Sequence, residues 1–138
     1  MSMTYNKPLP VTNNEDRAFW EAAKKHEPVC QRCSQCGTWL WHPLVQCPQC
    51  YSFSLGYEKI SGRGKVFSYS IVKYNPSPMW QDAVPYILAT VEMEEGVRMK
   101  FHLVNCGLDD VNIGLPVKMT FKDVTDEWTL PQFEPQSQ

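Results

Sequence analysis

The residues able to do chemistry concentrate in one stretch, CQRCSQCGTWLWHPLVQCPQC, residues 30–50, which holds five of the six cysteines. Cys33, Cys36, Cys47 and Cys50 read C-x2-C-x10-C-x2-C. Each pair can form a tight knuckle that turns both thiolates inward, and four thiolates match the tetrahedral shell that zinc accepts. Gly37, directly after the second cysteine, tolerates the positive φ a knuckle needs, and Pro48 stiffens the second turn. Cys30 and Cys33 are also a legal pair. Only Cys36 is followed by glycine, however, and a further thiolate would find no place in a four-coordinate shell. Cys30 is therefore expected to be a small apolar residue, His42 a loop residue, and Cys106, beside Gly107, a buried or turn thiol. Four cysteine ligands leave no open position, so the expected Zn2+ is structural. Iron, which accepts the same four-sulfur geometry, is the rival.

No other stretch assembles an acid, a base and a nucleophile, and no catalytic residue is assigned. Phosphate-cradling, dinucleotide-binding, zinc-protease and nucleophile-elbow patterns are all missing from the sequence. The glycine pair of SGRGKV leads into a strand, without the helix dipole that anion sites use. Binding surface is the stronger signal. Arg63, Lys65, Lys73, Arg98 and Lys100 decorate the expected strands and turns, and a long loop offers Met79 and Trp80. Solvated charges are the plain reading; a ligand with phosphates at one end and an apolar body at the other is the sharper one.

These residues need elements to hold them. From Thr12 to about Glu27, Thr12 and Glu15 form a capping-box pattern, and Phe19, Ala22, Ala23 and His26 fall on one apolar face. Trp20 lies off that stripe, either tucked against the rest of the chain or facing a partner. Pro28 is expected to end the helix. Beyond the cysteine block the texture becomes β. Phe67, Tyr69 and Ile71 alternate, as do Ile87, Ala89, Val91 and Met93; Met99, Phe101 and Leu103; and Val117, Met119 and Phe121. His102 falls with Arg98 and Lys100 on the opposite, exposed face. With a first strand near residues 55–60, a turn at SGRG, a hairpin at EEG and a Pro-rich loop over 74–85, about five short strands result. They suit a small barrel, of which the OB-fold is the commonest five-stranded type; an SH3-like barrel fits nearly as well. The expected fold is mainly β with a small helical segment at residues 1–28, a zinc ribbon at 29–52, an OB-fold barrel at 53–126 and a tail at 127–138.

Length and charge set bounds. A chain of 138 residues can bury roughly two thirds of its unfolded surface, which excludes a large multidomain enzyme. A formal net charge of −2 and a pI near 5.9 give no bulk attraction to nucleic acid or anionic lipid. No apolar run approaches the roughly 20 residues needed to cross a bilayer, and the polar start lacks the apolar core of a secretion signal. A cytoplasmic protein without membrane contact is expected, in a reducing compartment that favours metal thiolates over disulfides. A single-stranded nucleic-acid-binding module, with Phe67 and Tyr69 stacking bases, is the alternative, and the acidic balance opposes it.

FWEAAKKHE, QRCSQCGTWLWHPLVQCPQC, GRGKVFSYSIV, PYILATVEMEEGVRM, IGLPVKMTF and LPQFEP occur in order over nearly the whole chain. Together they resemble the acyl-CoA-associated proteins that join a rubredoxin-like zinc ribbon to a C-terminal OB-fold. That resemblance implies a non-catalytic subunit accompanying thiolase-like enzymes, including thiolases, lipid-transfer-protein-like aldolases and an archaeal thiolase with its synthase partner; some such proteins are joined to hydratases. It further implies Cys33, Cys36, Cys47 and Cys50 as metal ligands, a thiolase-like catalytic partner in a hetero-oligomer, and help in binding or passing on acyl-CoA. Arg63, Lys65, Arg98 and Lys100 are candidate contacts to the phosphates of a coenzyme A thioester by charge placement alone.

Overall fold

The structure, a computed structural model, describes residues 14–80 and 83–136. Thr12 of the expected capping box lies outside them. Helix α1 spans Arg17–Lys24, and Asp16 at its N-cap makes no side-chain capping bond. The helix ends before Pro28. His26 adopts φ 60°, and its N–H and that of Glu27 donate to the carbonyls of Ala23 and Ala22, both at 2.9 Å. This left-handed closure satisfies two terminal carbonyls and turns the chain before proline is reached. Phe19 and Ala23 carry the expected apolar face and are buried. His26 leaves it: its ring lies over Phe121, 5.5 Å between centroids, and its Nε2 is 3.0 Å from Asp123 Oδ1.

The ribbon is a three-stranded antiparallel sheet in the order β2-β1-β3, with β1 Val29–Cys33, β2 Trp39–Leu40 and β3 Leu55–Lys59. The strand expected at 55–60 thus belongs to the ribbon and not to the barrel. Its register with β1 runs from Val29↔Lys59 to Cys33↔Leu55, a partner that alternation within one segment cannot reveal. Gln31 in β1 is buried, and its amide meets the backbone of Leu44 in both directions at 2.8 Å, tying the loop between the knuckles to the sheet.

Five strands close the barrel: β4 Arg63–Val72, β5 Tyr86–Met93, β6 Arg98–Leu103, β7 Pro116–Asp123 and β8 Thr129–Pro135. They follow the order β4-β5-β6-β8-β7, with β7 returning antiparallel to β4 and β6 parallel to β8. The fifth strand therefore comes from the segment expected to be a tail. Pro131 and Pro135 disguise it, since proline removes a ladder donor. Gln136 N–H donates to Pro116 of β7, while Phe133 C=O accepts from Val104 on the β6 side. Alternation then turns the nitrogens of residues 131 and 135 towards β6, so the antiparallel ladder with β7 loses nothing.

Ile87, Ala89, Val91, Met93, Met99, Leu103 and Val117 fill the barrel as their alternation requires. Of the alternating Phe67, Tyr69 and Ile71, the first two are exposed, at 44% and 40%. A bulge between Val66 and Ser68 inserts Phe67 into β4, with the Arg98 guanidinium 3.7 Å above its ring. His102 also differs from expectation: it is half-buried, stacked on Tyr86 at 4.7 Å, and burial lowers its pKa. Helix, ribbon and barrel share one aromatic column, with centroid distances of 4.7 Å for Phe19–Trp41, 5.6 Å for Trp41–Phe101 and 5.6 Å for Phe101–Phe133. Trp20 extends it sideways, edge-on to Trp128 at 5.5 Å, so it is tucked against the barrel. Among the described residues no helix is long and apolar enough to cross a membrane.

Two outcomes follow from this packing. A Cβ on Gly64, where β4 lies between β5 and β7, would stand 2.5 Å from the Glu92 carbonyl oxygen and 2.7 Å from Val91 Cγ1. Gly64→Ala should therefore lose about 1–3 kcal/mol in urea unfolding, the usual overpacking range. Thr129, by its hydroxyl, and then His26 hold the Asp123 carboxyl below its ordinary value. A depressed folded pKa contributes stability that is full above the unfolded value of about 3.9 and is lost as pH falls through the folded one. Asp123→Asn should flatten the acid limb of the melting-temperature profile below about pH 4.

Candidate metal centre

Two hydrogen-bonded turns present the cysteines. In the first, Gly37 N–H donates to Cys33 C=O and Cys33 N–H to Thr38 C=O, each at 2.9 Å. In the second, Tyr51 N–H donates to Cys47 C=O and Cys47 N–H to Ser52 C=O, again at 2.9 Å. Gly37 at φ 78° has its counterpart in Tyr51 at φ 64°. The second knuckle thus uses the same backbone shape without glycine, one residue after its second cysteine in both cases. That equal offset was readable in the sequence; the tyrosine concealed it.

Cys33, Cys36, Cys47 and Cys50 converge, with all four sulfurs within 4.8 Å of one another. The Cys33–Cys50 and Cys36–Cys47 sulfurs lie 3.6 Å apart. A tetrahedron of sulfurs around a metal with bonds of about 2.3 Å has edges of about 3.8 Å, so the donor set fits a four-thiolate metal shell. Thr38, which sequence reasoning overlooked, places its hydroxyl 3.1 Å from Cys36 Sγ. That contact and the Thr38 N–H lower the Cys36 pKa to about 6. The N–H of Cys36, assisted by that of Gln35, lowers Cys33. Cys50 is pushed up to about 12: the Ser52 N–H favours its thiolate, but desolvation and the facing sulfurs of Cys33, Cys36 and Cys47 outweigh it. Without a cation the last thiol keeps its proton, which is the electrostatic demand that a bound metal would satisfy.

The remaining candidates are dispersed. Cys30 stays outside the cluster, fully buried, donating to Leu40 C=O at 3.3 Å, with burial raising its pKa to about 12. His42 stacks on Trp41 at 5.2 Å, and Cys106 lies in the loop before β7 with its thiol 3.4 Å from the Gly107 carbonyl. Of the four basic residues, Arg63 makes two contacts to Glu94 at 3.2 Å, and Arg98 reaches Glu92 at 3.3 Å. Glu92 is also the register partner of Lys65, so it lies between two cations. Lys100 stands apart from these pairs, at the mouth of a cleft beside β8. The Arg98 guanidinium occupies the Phe67 face that a stacked base would need.

Comparison with known proteins agrees with this construction. The family described as ChsH2, C-terminal OB-fold domain, matches residues 57–122. A probable enoyl-CoA hydratase alpha subunit of Thermomonospora curvata is 39% identical over 94% of this chain, which spans 40% of that protein's length. A DUF35 domain-containing scaffold protein of Methanothermobacter thermautotrophicus is 37% identical over 70% of this chain and 72% of its own. A solved structure described as the Ltp2-ChsH2(DUF35) aldolase contains a chain that superposes with a TM-score of 0.83 at 36% identity, covering 92% of this chain and 98% of that one. With a four-cysteine ribbon, an OB-fold barrel and this degree of identity along most of its length, the chain belongs to the DUF35 family of scaffold proteins.

Proposed function

We propose that this chain is a non-catalytic, zinc-binding accessory subunit of a thiolase-type or thiolase-like aldolase complex, where it aids assembly and the binding or transfer of acyl-CoA. The observation that carries the reading is the likeness to the DUF35 chain of an aldolase described jointly with Ltp2, which extends over 98% of that chain. The hydratase alpha subunits of Thermomonospora curvata and Mycobacterium tuberculosis, 39% and 36% identical, act by their descriptions on CoA thioesters and support the same substrate class.

Four sulfurs would complete the shell of a bound zinc and leave no position for water or substrate, which makes its role the bracing of the ribbon. A reducing, cytoplasmic setting keeps these thiols available to the metal. Arg63, Lys65, Arg98 and Lys100 remain the candidates for CoA phosphates. Lys65 and Lys100 can offer their ammonium groups directly, whereas Arg63 and Arg98 would first have to leave Glu94 and Glu92.

Elemental analysis of the purified chain should find one zinc per chain in a colourless protein; a red, iron-loaded protein with a reversible redox couple would instead make it an electron carrier. Cys47→Ser should lose the metal and the folded ribbon, since such sites contribute on the order of 10 kcal/mol at neutral pH. Tagged protein co-expressed with its neighbouring genes should capture a thiolase-like chain, and the isolated subunit should not turn over a thioester. Recovery of the bait alone, or turnover by the isolated chain, would defeat the subunit reading.

A further inference from the structure

A cleft of ≈340 Å³ opens on the flank of the barrel, and it originates in the way the barrel closes. Strands β6 and β8 are joined at one register pair, Leu103↔Phe133, backed by Val104 N–H donating to Phe133 C=O at 2.7 Å. Towards their starts the two strands diverge, and α1 lies beside the gap with Trp20 in its wall. Phe101 and Pro131 are on opposite sides of the seam, and Leu88 and Leu130 complete an apolar lining. Pro131 matters twice. Its ring adds apolar surface, and its nitrogen, on the seam side of β8, carries no N–H that would need a partner there. The seam therefore offers a ligand an apolar surface with a reduced backbone demand.

The charged side chains that line this cleft among the described residues are both basic. Lys100 from β6 and Lys122 from β7 both line it, both are exposed, and neither is ion-paired to any described residue. Among the described residues no aspartate or glutamate contributes to the lining. The volume lies at the small end of the roughly 300–1,000 Å³ typical of ligand pockets, room for about ten groups of methylene or water size at roughly 30 Å³ each.

We infer that this cleft binds a small amphiphile, with its apolar body between Trp20, Phe101 and Leu130 and its anionic head, a carboxylate or a phosphate monoester, held by Lys100 and Lys122. The site does not depend on the subunit reading, because partner capture can succeed or fail whatever binds here. Calorimetric titration of the full chain with decanoate, decyl phosphate and decyltrimethylammonium tests it. Saturable one-to-one binding of at least one anion is expected, the preferred anion identifying the head group, with the cation much weaker. Lys100→Gln and Lys122→Gln should each weaken binding about fivefold, the scale of one exposed charge contact. Leu130→Trp should fill the cleft and abolish binding; should that variant fail to fold, the two exposed lysine variants still decide. Absence of saturable heat with both anions, equal binding of the cation, or indifference to the double lysine variant would overturn the inference, the second outcome leaving an apolar groove of the kind a partner's side chain fills.

Discussion

Four sulfurs within 4.8 Å of one another impose the constraint from which the rest of the ribbon follows. Like charges at that separation cannot all be ionised without a cation between them, so this geometry suits a cation-bound ribbon. The knuckles also fix what lies between them. Trp41 belongs to the inter-knuckle loop, and the Gln31 clamp on Leu44 holds that loop against β1. Trp41 then packs on both Phe19 and Phe101, so the sulfur cluster, through one indole, helps to seat the helix on the barrel. A ribbon of this size has little core of its own, and small modules commonly rely on a metal for what burial cannot supply.

The barrel meets a different constraint. With the other four neighbour pairs antiparallel, a five-stranded ring in this order must join β6 and β8 in parallel, and that junction is a single register pair. Closure is thus achieved at one end of the seam while the other end stays open. The helix and the C-terminal strand cover the opening with aromatic and proline surface instead of further ladder bonds. The cleft on the barrel flank lies along this same seam.

What could be read in the sequence was what depends on neighbours along the chain. The cysteine spacing identifies the converging sulfurs because each knuckle is a local turn, and alternation at 87–93, 99–103 and 117–121 gives the inward faces because each strand alternates by itself. Pairing is not local. Leu55–Lys59 alternates as a barrel strand would, and only its register with Val29–Cys33 assigns it to the ribbon. Thr129–Pro135 was obscured by prolines whose harmlessness depends on which neighbour each nitrogen faces. Phe67 was misplaced because one inserted residue reverses the phase of a period-two pattern. The cleft was invisible for the same reason, being assembled from α1, β5, β6, β7 and β8.

The adjacent pair Phe19 and Trp20 shows how one short helix serves both halves of the molecule. Successive helical residues point about 100° apart, so two aromatics in sequence cannot share one burial site. Phe19 turns into the column with Trp41 and Phe101, while Trp20 turns along the barrel to Trp128 and the open seam. The stripe that predicts burial of Phe19 necessarily leaves Trp20 outside it, yet Trp20 is covered, because the helix lies in the angle between two bodies and not on a single flat face. A helix in such an angle buries more of its circumference than its own amphipathicity indicates. Its position therefore depends on ribbon and barrel together.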